Sequence, residues 1–288
     1  GFFTITPYLL LAYASKRVDA RHLGFVTAVL TTGVVIGVQL SRLGSGIVRE
    51  YLGWRAVYLI AAALMGVAVV TLPTLMTEEP VRKDARHLPY PALLRSLFGL
   101  ARSNGDVMIS GLIQGLSFAI FLATWLGMGL YLTGPALGLG TDVVGYLAAA
   151  SAVGLATTPW LGRWADRRGA ESARLIMVCV QFVAVLSLSL APVAWPLLLV
   201  PILVTSIAGP LIDVTGRMTS LSRPPEIRTR LMSLYITLMF LGGGFGSWMG
   251  TAAYDWGGWW GTVAFATTLS ILVCALSARQ YARLRAVA

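Results

Sequence analysis

Asp213 and Arg217 stand four residues apart inside one long apolar run. That spacing puts both on one face of a helix. Two roles stay open for them: a mutual ion pair, or a carboxylate that takes up a proton or meets a substrate amine. Arg42 lies toward the far end of another apolar run, where it can snorkel to water or act as a charge clamp for an anionic substrate. Ionisable residues in such surroundings are candidates for function, because holding charge in hydrocarbon is costly. A denser cluster is the octet Gly162-Arg163-Trp164-Ala165-Asp166-Arg167-Arg168-Gly169, wedged between two apolar runs. Four charges in eight residues cannot sit in hydrocarbon, so a turn at a membrane surface is predicted. Gly162 and Gly169 are expected to let the chain turn tightly and two helix ends approach. Asp166 can accept hydrogen bonds from helix N-termini or pair with an arginine. The turn either only sets orientation or works as a gating hinge.

Other chemistries find no residues. Lys16 and Lys83 are the two lysines, and neither follows the glycines of a phosphate-binding loop. His22 and His87 do not form a His-Glu-x-x-His pair. Cys179 and Cys274 lie inside apolar runs and read as small core residues, not as a disulfide or a metal site. No cofactor and no metal is expected, and no catalytic triad can be assembled. Work driven by an ion or substrate gradient is what remains.

The elements that must hold these residues are membrane helices. The chain is 57% hydrophobic and 12% charged, and soluble domains carry about twice that charge fraction. A net charge of +10 could suggest nucleic acid, but the basic residues fall in short clusters between apolar runs, as on the cytoplasmic face of polytopic proteins. Nucleic acid is therefore not an expected partner; membrane lipid and a small-molecule substrate are, with the chain a monomer.

Nine apolar segments are read: Gly1–Ala14, Leu23–Ile47, Trp54–Leu75, Val107–Leu132, Val143–Leu161, Ala173–Leu190, Trp195–Gly216, Leu231–Tyr254 and Trp259–Leu276. The first is short for a crossing of about 20 residues, so the chain is read as beginning inside a helix. If the segments alternate, 19 of the 22 basic residues fall on one side, and only Arg42, Arg49 and Arg55 break the pattern. The expected topology is multi-pass in the cell inner (plasma) membrane, with a cytoplasmic C-terminus and Gly1 near the outer side.

An internal repeat is present. Arg21, Gly33 and Gly37 recur as Arg230, Gly242 and Gly246 at an offset of 209, and Gly53-Trp54 recurs as Gly258-Trp259 at 205. Parallel repeats of this kind build transporters from two similar bundles. Subtracting the offset places a partner for the helix near Asp106 roughly 100 residues before Gly1, so three further helices are expected upstream. The segments present become the fourth to twelfth of twelve. Residues 1–76 are read as the second half of one six-helix bundle and 105–288 as the other. The hydrophilic stretch 77–104 is read as a cytoplasmic linker, in which the leucines from Leu93 to Leu100 could form an amphipathic surface helix.

Gly162, Asp166, Arg167 and Gly169 resemble the loop signature of the major facilitator superfamily, Gly-x-x-x-Asp-Arg-x-Gly. The trailing basic pair is missing: Ala170, Glu171 and Ser172 stand there, and Arg174 is displaced. The run Gly53-Trp54-Arg55-Ala56-Val57-Tyr58 looks like bacterial efflux members. The antiporter signature departs, with Val38 in place of its proline and Ser41-Arg42 in place of its last glycines. The resemblance implies an all-α integral membrane bundle whose first, fourth, seventh and tenth helices line a central cavity. By that implication Gln114, Phe118, Phe121 and Trp125, Thr205 and Ser206 (with Gly209 and Pro210), and Tyr8 face the substrate. The first four also recur at one helical stripe, which fits simple helix packing equally. Gly33 and Gly37, and Gly242, Gly246 and Gly250, read as close-packing ladders.

The expected function is a secondary transporter that moves a small organic solute by alternating access, coupled to an ion such as the proton, in efflux or uptake. Catalysis is not expected. The competing reading is a non-transporting polytopic protein, either a sensor or a lipid-handling enzyme. A sensor would need a soluble signalling domain, and an enzyme would need clustered His, Asp or Glu at one membrane face.

Overall fold

The computed structural model describes residues 23–75, 90–135 and 137–287, and throughout them the regular structure is helical. The helices are α1 (Leu23–Leu52), α2 (Trp54–Leu75), α3 (Tyr90–Ser103), α4 (Gly105–Thr133), α5 (Thr141–Ala150), α6 (Val153–Arg168), α7 (Ala170–Ser187) and α8 (Leu199–Leu221). Short 3₁₀ turns at Leu188–Leu190 and Trp195–Leu198 link α7 to α8. The last helix, Pro225–Val287, is broken at Gly257 and Gly258, which divide it into α9 (225–256) and α10 (259–287).

Among the described residues, five helical stretches are long and apolar enough to cross a membrane: Trp54–Leu72, Gly105–Thr133, Ala170–Leu190, Trp195–Ser220 and Ile227–Arg283. The last of these, 57 residues, would measure about 85 Å as one straight helix. The hydrocarbon core is about 30 Å thick, so this stretch is long enough to cross twice, with the glycine break between its two parts. The expected first crossing, Gly1–Ala14, lies outside the described residues, and the count of nine stays an expectation.

The break has a counterpart. Gly53 (φ 83°) separates α1 from α2, and Gly258 (φ 56°) separates α9 from α10. A positive φ costs glycine little and other residues much, so it stops one helix and lets the following tryptophan open the next. Both copies of the Gly-Trp repeat thus hold the same backbone punctuation.

One expected element differs. The apolar run Val143–Leu161 is not one helix: α5 ends at Ala150 and α6 starts at Val153. At the break Ala152 N–H donates to Ala149 C=O and Gly154 N–H to Ser151 C=O. These tighter three-residue bonds replace the α-helical ladder. Gly154 there lies against the backbone carbonyl of Ser206 on α8, where a Cβ has no room. The segment 77–104 ends in the helix α3, which rests on α9; Arg230 Nη1 donates to Ser96 Oγ at 3.3 Å.

The core gathers where α4, α7, α8 and α10 meet, with Leu147 of α5 and Ala165 of α6 at its margin. Lipid tails are as apolar as leucine, so close backbone approach rather than oil-from-water transfer holds such helices together. A Cβ added at Gly242, Gly246 or Gly250 of α9 would collide with Gly115, Ala119 and Ala123 of α4, respectively. Two small-residue stripes, each stepping by four, therefore face one another. A Cβ at Gly33 or Gly37 would meet nothing within 4 Å among the described residues, so the packing role expected for that pair stays an expectation. On α1 the tight contact falls at Gly46, against Gly145 of α5.

Candidate functional site

The site begins where α1 meets α5. Glu50, near the end of α1, accepts the backbone N–H of Thr141 at 2.9 Å, and the Thr141 hydroxyl lies 3.1 Å from the same carboxylate oxygen. Thr141 is the first residue of α5, so an anion sits on unsatisfied N–H groups at the positive end of a helix dipole. The Thr141 hydroxyl is also 3.1 Å from the Gly46 carbonyl. Glu50 was not among the sequence candidates, because its partner is 91 residues away and no local spacing announces it.

About three turns deeper, Gln39 Nε2 donates to Ser151 Oγ at 3.2 Å and to the Ala148 carbonyl at 3.4 Å. Ser151 in turn donates to Ala148 at 2.6 Å. With the amide N–H₂ turned to the end of α5, Gln39 Oε1 faces back and accepts Arg42 Nη1 at 3.4 Å. The Arg42 guanidinium lies over the rings of Phe121 and Trp125, 5.0 and 5.5 Å from their centroids. Arg42 therefore does not snorkel to the helix end; it is held between α1 and α4 by an amide and two aromatic faces.

Phe121 and Trp125 also line a small cavity, completed by Ile120, Thr124, Met128, Gln181, Ile202 and Thr205. Its volume among the described residues is about 10 Å³, room for one water-sized sphere. Thr205 lines it while donating to the Pro201 carbonyl at 2.7 Å. Ser206 does not line it; its carbonyl packs on Gly154. Phe118 stacks on Phe121 at 6.1 Å and meets Phe240 edge-on at 6.2 Å, a packing position. Gln114 is buried, and its Oε1 has no hydrogen-bond partner among the described residues; the same holds for Thr124 Oγ1. Tyr8 lies outside the described residues. Gln181 and Thr124 were missed in the sequence, where a single polar residue in an apolar run looks the same whether it lines a cavity or not.

At the other end of the bundle, Arg217 Nε donates to both oxygens of Asp213, at 3.0 and 2.9 Å. The Tyr235 hydroxyl lies 3.1 Å from Asp213 Oδ1 and from its backbone carbonyl. The ring of Tyr235 occupies the space a Cβ on Gly216 would need. Beside it Arg174, 1% exposed, donates to Ser110 Oγ at 2.7 Å and pairs with Glu171. Gln280 Nε2 donates to Ser110 Oγ at 3.1 Å and to the Asp106 carbonyl at 3.2 Å, and Asp106 pairs with Arg223. One polar network thereby ties α4, α7, α10 and the stretch just after α8. Among the described residues no group of three or more His, Cys, Asp or Glu is placed to hold a metal ion.

The sequence pattern of the Major Facilitator Superfamily matches residues 1–212. The chain belongs to this superfamily. It is 26% identical over 272 residues to YgaY of Escherichia coli O157:H7, described as an uncharacterized transporter, across 94% of this chain and 68% of that protein. It is 28% identical over 287 residues to a probable transporter of Streptomyces coelicolor, across 97% of this chain and 64% of the other. It is 24% identical over 258 residues to the multidrug resistance protein MdtG of Salmonella heidelberg, across 85% of this chain and 61% of that protein. The chain is thus a multi-pass membrane transporter of the superfamily.

The superfamily octet takes a shape the sequence did not suggest. Gly162 to Arg168 are the last two turns of α6, and only Gly169 (φ 87°) leaves the helix. Arginine and alanine favour helix, and charged side chains can reach water without the backbone turning. A Cβ at Gly162 would meet nothing within 4 Å among the described residues, so the close approach expected there finds no partner in them. Asp166 and Arg167 are exposed, and Arg168 lies over Trp164, 6.0 Å from the ring centroid. The displaced Arg174 of the octet's tail is the buried centre of the polar network described above.

Proposed function

We propose that this protein is a secondary transporter that carries a small organic solute across the cytoplasmic membrane by alternating access. One observation carries the reading: α1 is fastened to α5 near one end by Glu50 and Thr141, and the same helix holds Arg42 against the aromatic wall of a cavity at mid-bundle. A helix that both closes one end and bears on the rings walling the cavity links opening to occupancy. With the basic clusters in the cytoplasm, the Glu50 end faces outward, so this state is closed to the outside. Its cavity of about 10 Å³ must widen to take a solute.

Coupling is assigned to Asp213. Protonating it would release Arg217 and weaken the Tyr235 contact between α8 and α9, a local event with a two-helix readout. The name of the Salmonella relative, a multidrug resistance protein, supports outward transport. Among the described residues nothing assembles a nucleotide or metal engine, and the ion gradient is the energy source this reading uses. Accumulation of labelled solutes in inside-out vesicles tests it. Uptake that collapses with a protonophore supports the reading, and passive equilibration of every solute overturns it.

A further inference from the structure

Resting on the transport reading, we propose that the solute is an organic anion whose carboxylate is taken by Arg42 and whose apolar or aromatic body lies along Phe121 and Trp125. A guanidinium offers five N–H donors. Here Gln39 Oε1 takes one, and the two rings engage the cationic face but accept nothing at the edge. Among the described residues no Asp or Glu pairs with Arg42. The one acid on α1, Glu50, is already engaged by Thr141 two turns away. A charge at this depth without a counterion is costly, whereas a paired one is tolerated. The planar fork of Arg fits a carboxylate with two parallel hydrogen bonds.

The surroundings are built for presentation rather than for burial of the charge. Gln39 is itself anchored to the end of α5 by Ser151 and Ala148, so the guanidinium is oriented before any solute arrives. Phe121 and Trp125 lie 6.1 Å apart at 60° and line the cavity that Gln181, Thr124 and Thr205 furnish with polar groups. The Thr124 hydroxyl, buried and without a partner among the described residues, is a further donor or acceptor for the solute. A cation would meet repulsion from Arg42, and a neutral amide would leave its edge unmatched.

The test uses three probes of one shape, naphthalene-2-carboxylate, naphthalene-2-carboxamide and naphthylmethylammonium, with the protein in vesicles of zwitterionic lipid. That lipid removes anionic headgroups as competitors for Arg42. Saturable binding of the carboxylate, with the amide weaker by about tenfold or more, is expected. Arg42→Gln should erase that preference while leaving amide binding in place, and Arg42→Lys should keep part of it. Equal binding of carboxylate and amide, a preference for the ammonium, or an unchanged preference in Arg42→Gln overturns the proposal. The absence of saturable binding by all three does so too. Failure of the transport reading looks different: the carboxylate then binds but is not carried by any gradient.

Discussion

Gln39 Nε2 donates to Ser151 Oγ at 3.2 Å, joining the middle of α1 to the point where α5 stops. The contact fixes which way the Gln39 amide faces, and through it the guanidinium of Arg42. Gln39→Leu removes all three of its hydrogen bonds, two to the end of α5 and one from Arg42, while keeping the volume. A pair of neutral hydrogen bonds contributes about 1–3 kcal/mol. Carboxylate affinity should fall several-fold, with the amide probe unaffected, and Ser151→Ala should give a smaller loss that is not additive with it. Equilibrium binding of the naphthalene probes to the three variants reads this out, and additive losses would detach Gln39 from Ser151.

Glu50→Ala should loosen the end of the molecule that Thr141 caps. The contact is charge-assisted but solvent-exposed, worth about 0.5–1 kcal/mol, so the balance of two states should shift by about two- to fivefold. In a background lacking Cys179 and Cys274, maleimide labelling of Gln39→Cys from the Glu50 side should accelerate. Glu50→Gln keeps an acceptor for the Thr141 N–H and should fall between. Equal labelling in all three would leave Glu50 a helix cap without a gating role.

Asp213→Asn should abolish accumulation driven by a pH gradient and leave solute exchange measurable. The amide still accepts from Tyr235 but no longer pairs with Arg217. An unchanged pH dependence of accumulation makes the carboxylate structural. In that case Asp213→Ala and Arg217→Ala should each lower expression, with recovery in the double variant.

Gly242→Ala and Gly244→Ala make a matched pair on one helix. A Cβ at Gly242 would fall on the Gly115 backbone, whereas one at Gly244 meets nothing within 4 Å. Overpacking costs about 1–3 kcal/mol, so Gly242→Ala should lower the unfolding temperature by several degrees and Gly244→Ala should not. A thermal scan of detergent-purified protein followed by tryptophan fluorescence measures both.

Asp166→Asn separates the two roles of the octet. An acid in the last turn of α6 opposes the helix dipole, so a purely topogenic Asp166 gives a variant of equal or slightly greater stability and unchanged turnover. A gate gives slower turnover and readier labelling of Gly209→Cys from the basic side. Arg163, Arg167 and Arg168 keep the orientation in either case.

What could be read from the chain depended on how far each partner lies along it. The glycines at 242, 246 and 250 announce a flat helix face by their own spacing, and that face is where α4 comes closest. The pair Asp213 and Arg217 is equally local. Gln39 and Ser151, Glu50 and Thr141, and Ser110 and Gln280 are separated by 91 to 170 residues, and hydropathy carries no trace of them. Arg174 shows the hazard of reading a motif by register. Counted as a misplaced surface charge, it is among the largest fully buried side chains. The octet misled for the opposite reason: charge marks a surface, not a bend.

The glycines at 53 and 258 leave a mark of a different kind. Each stops a helix with a positive φ and hands over to a tryptophan, yet the two tryptophans sit in different surroundings. Trp259 is sealed in, stacked on Tyr131 at 4.8 Å and bonded to the Leu188 carbonyl. Trp54 stays open, with only the Tyr58 ring and the Arg55 guanidinium beside it among its aromatic and cationic neighbours in the described residues. Punctuation is held by the backbone, which leaves few alternatives to glycine at a positive φ, while the side chain that follows answers only to its own neighbours.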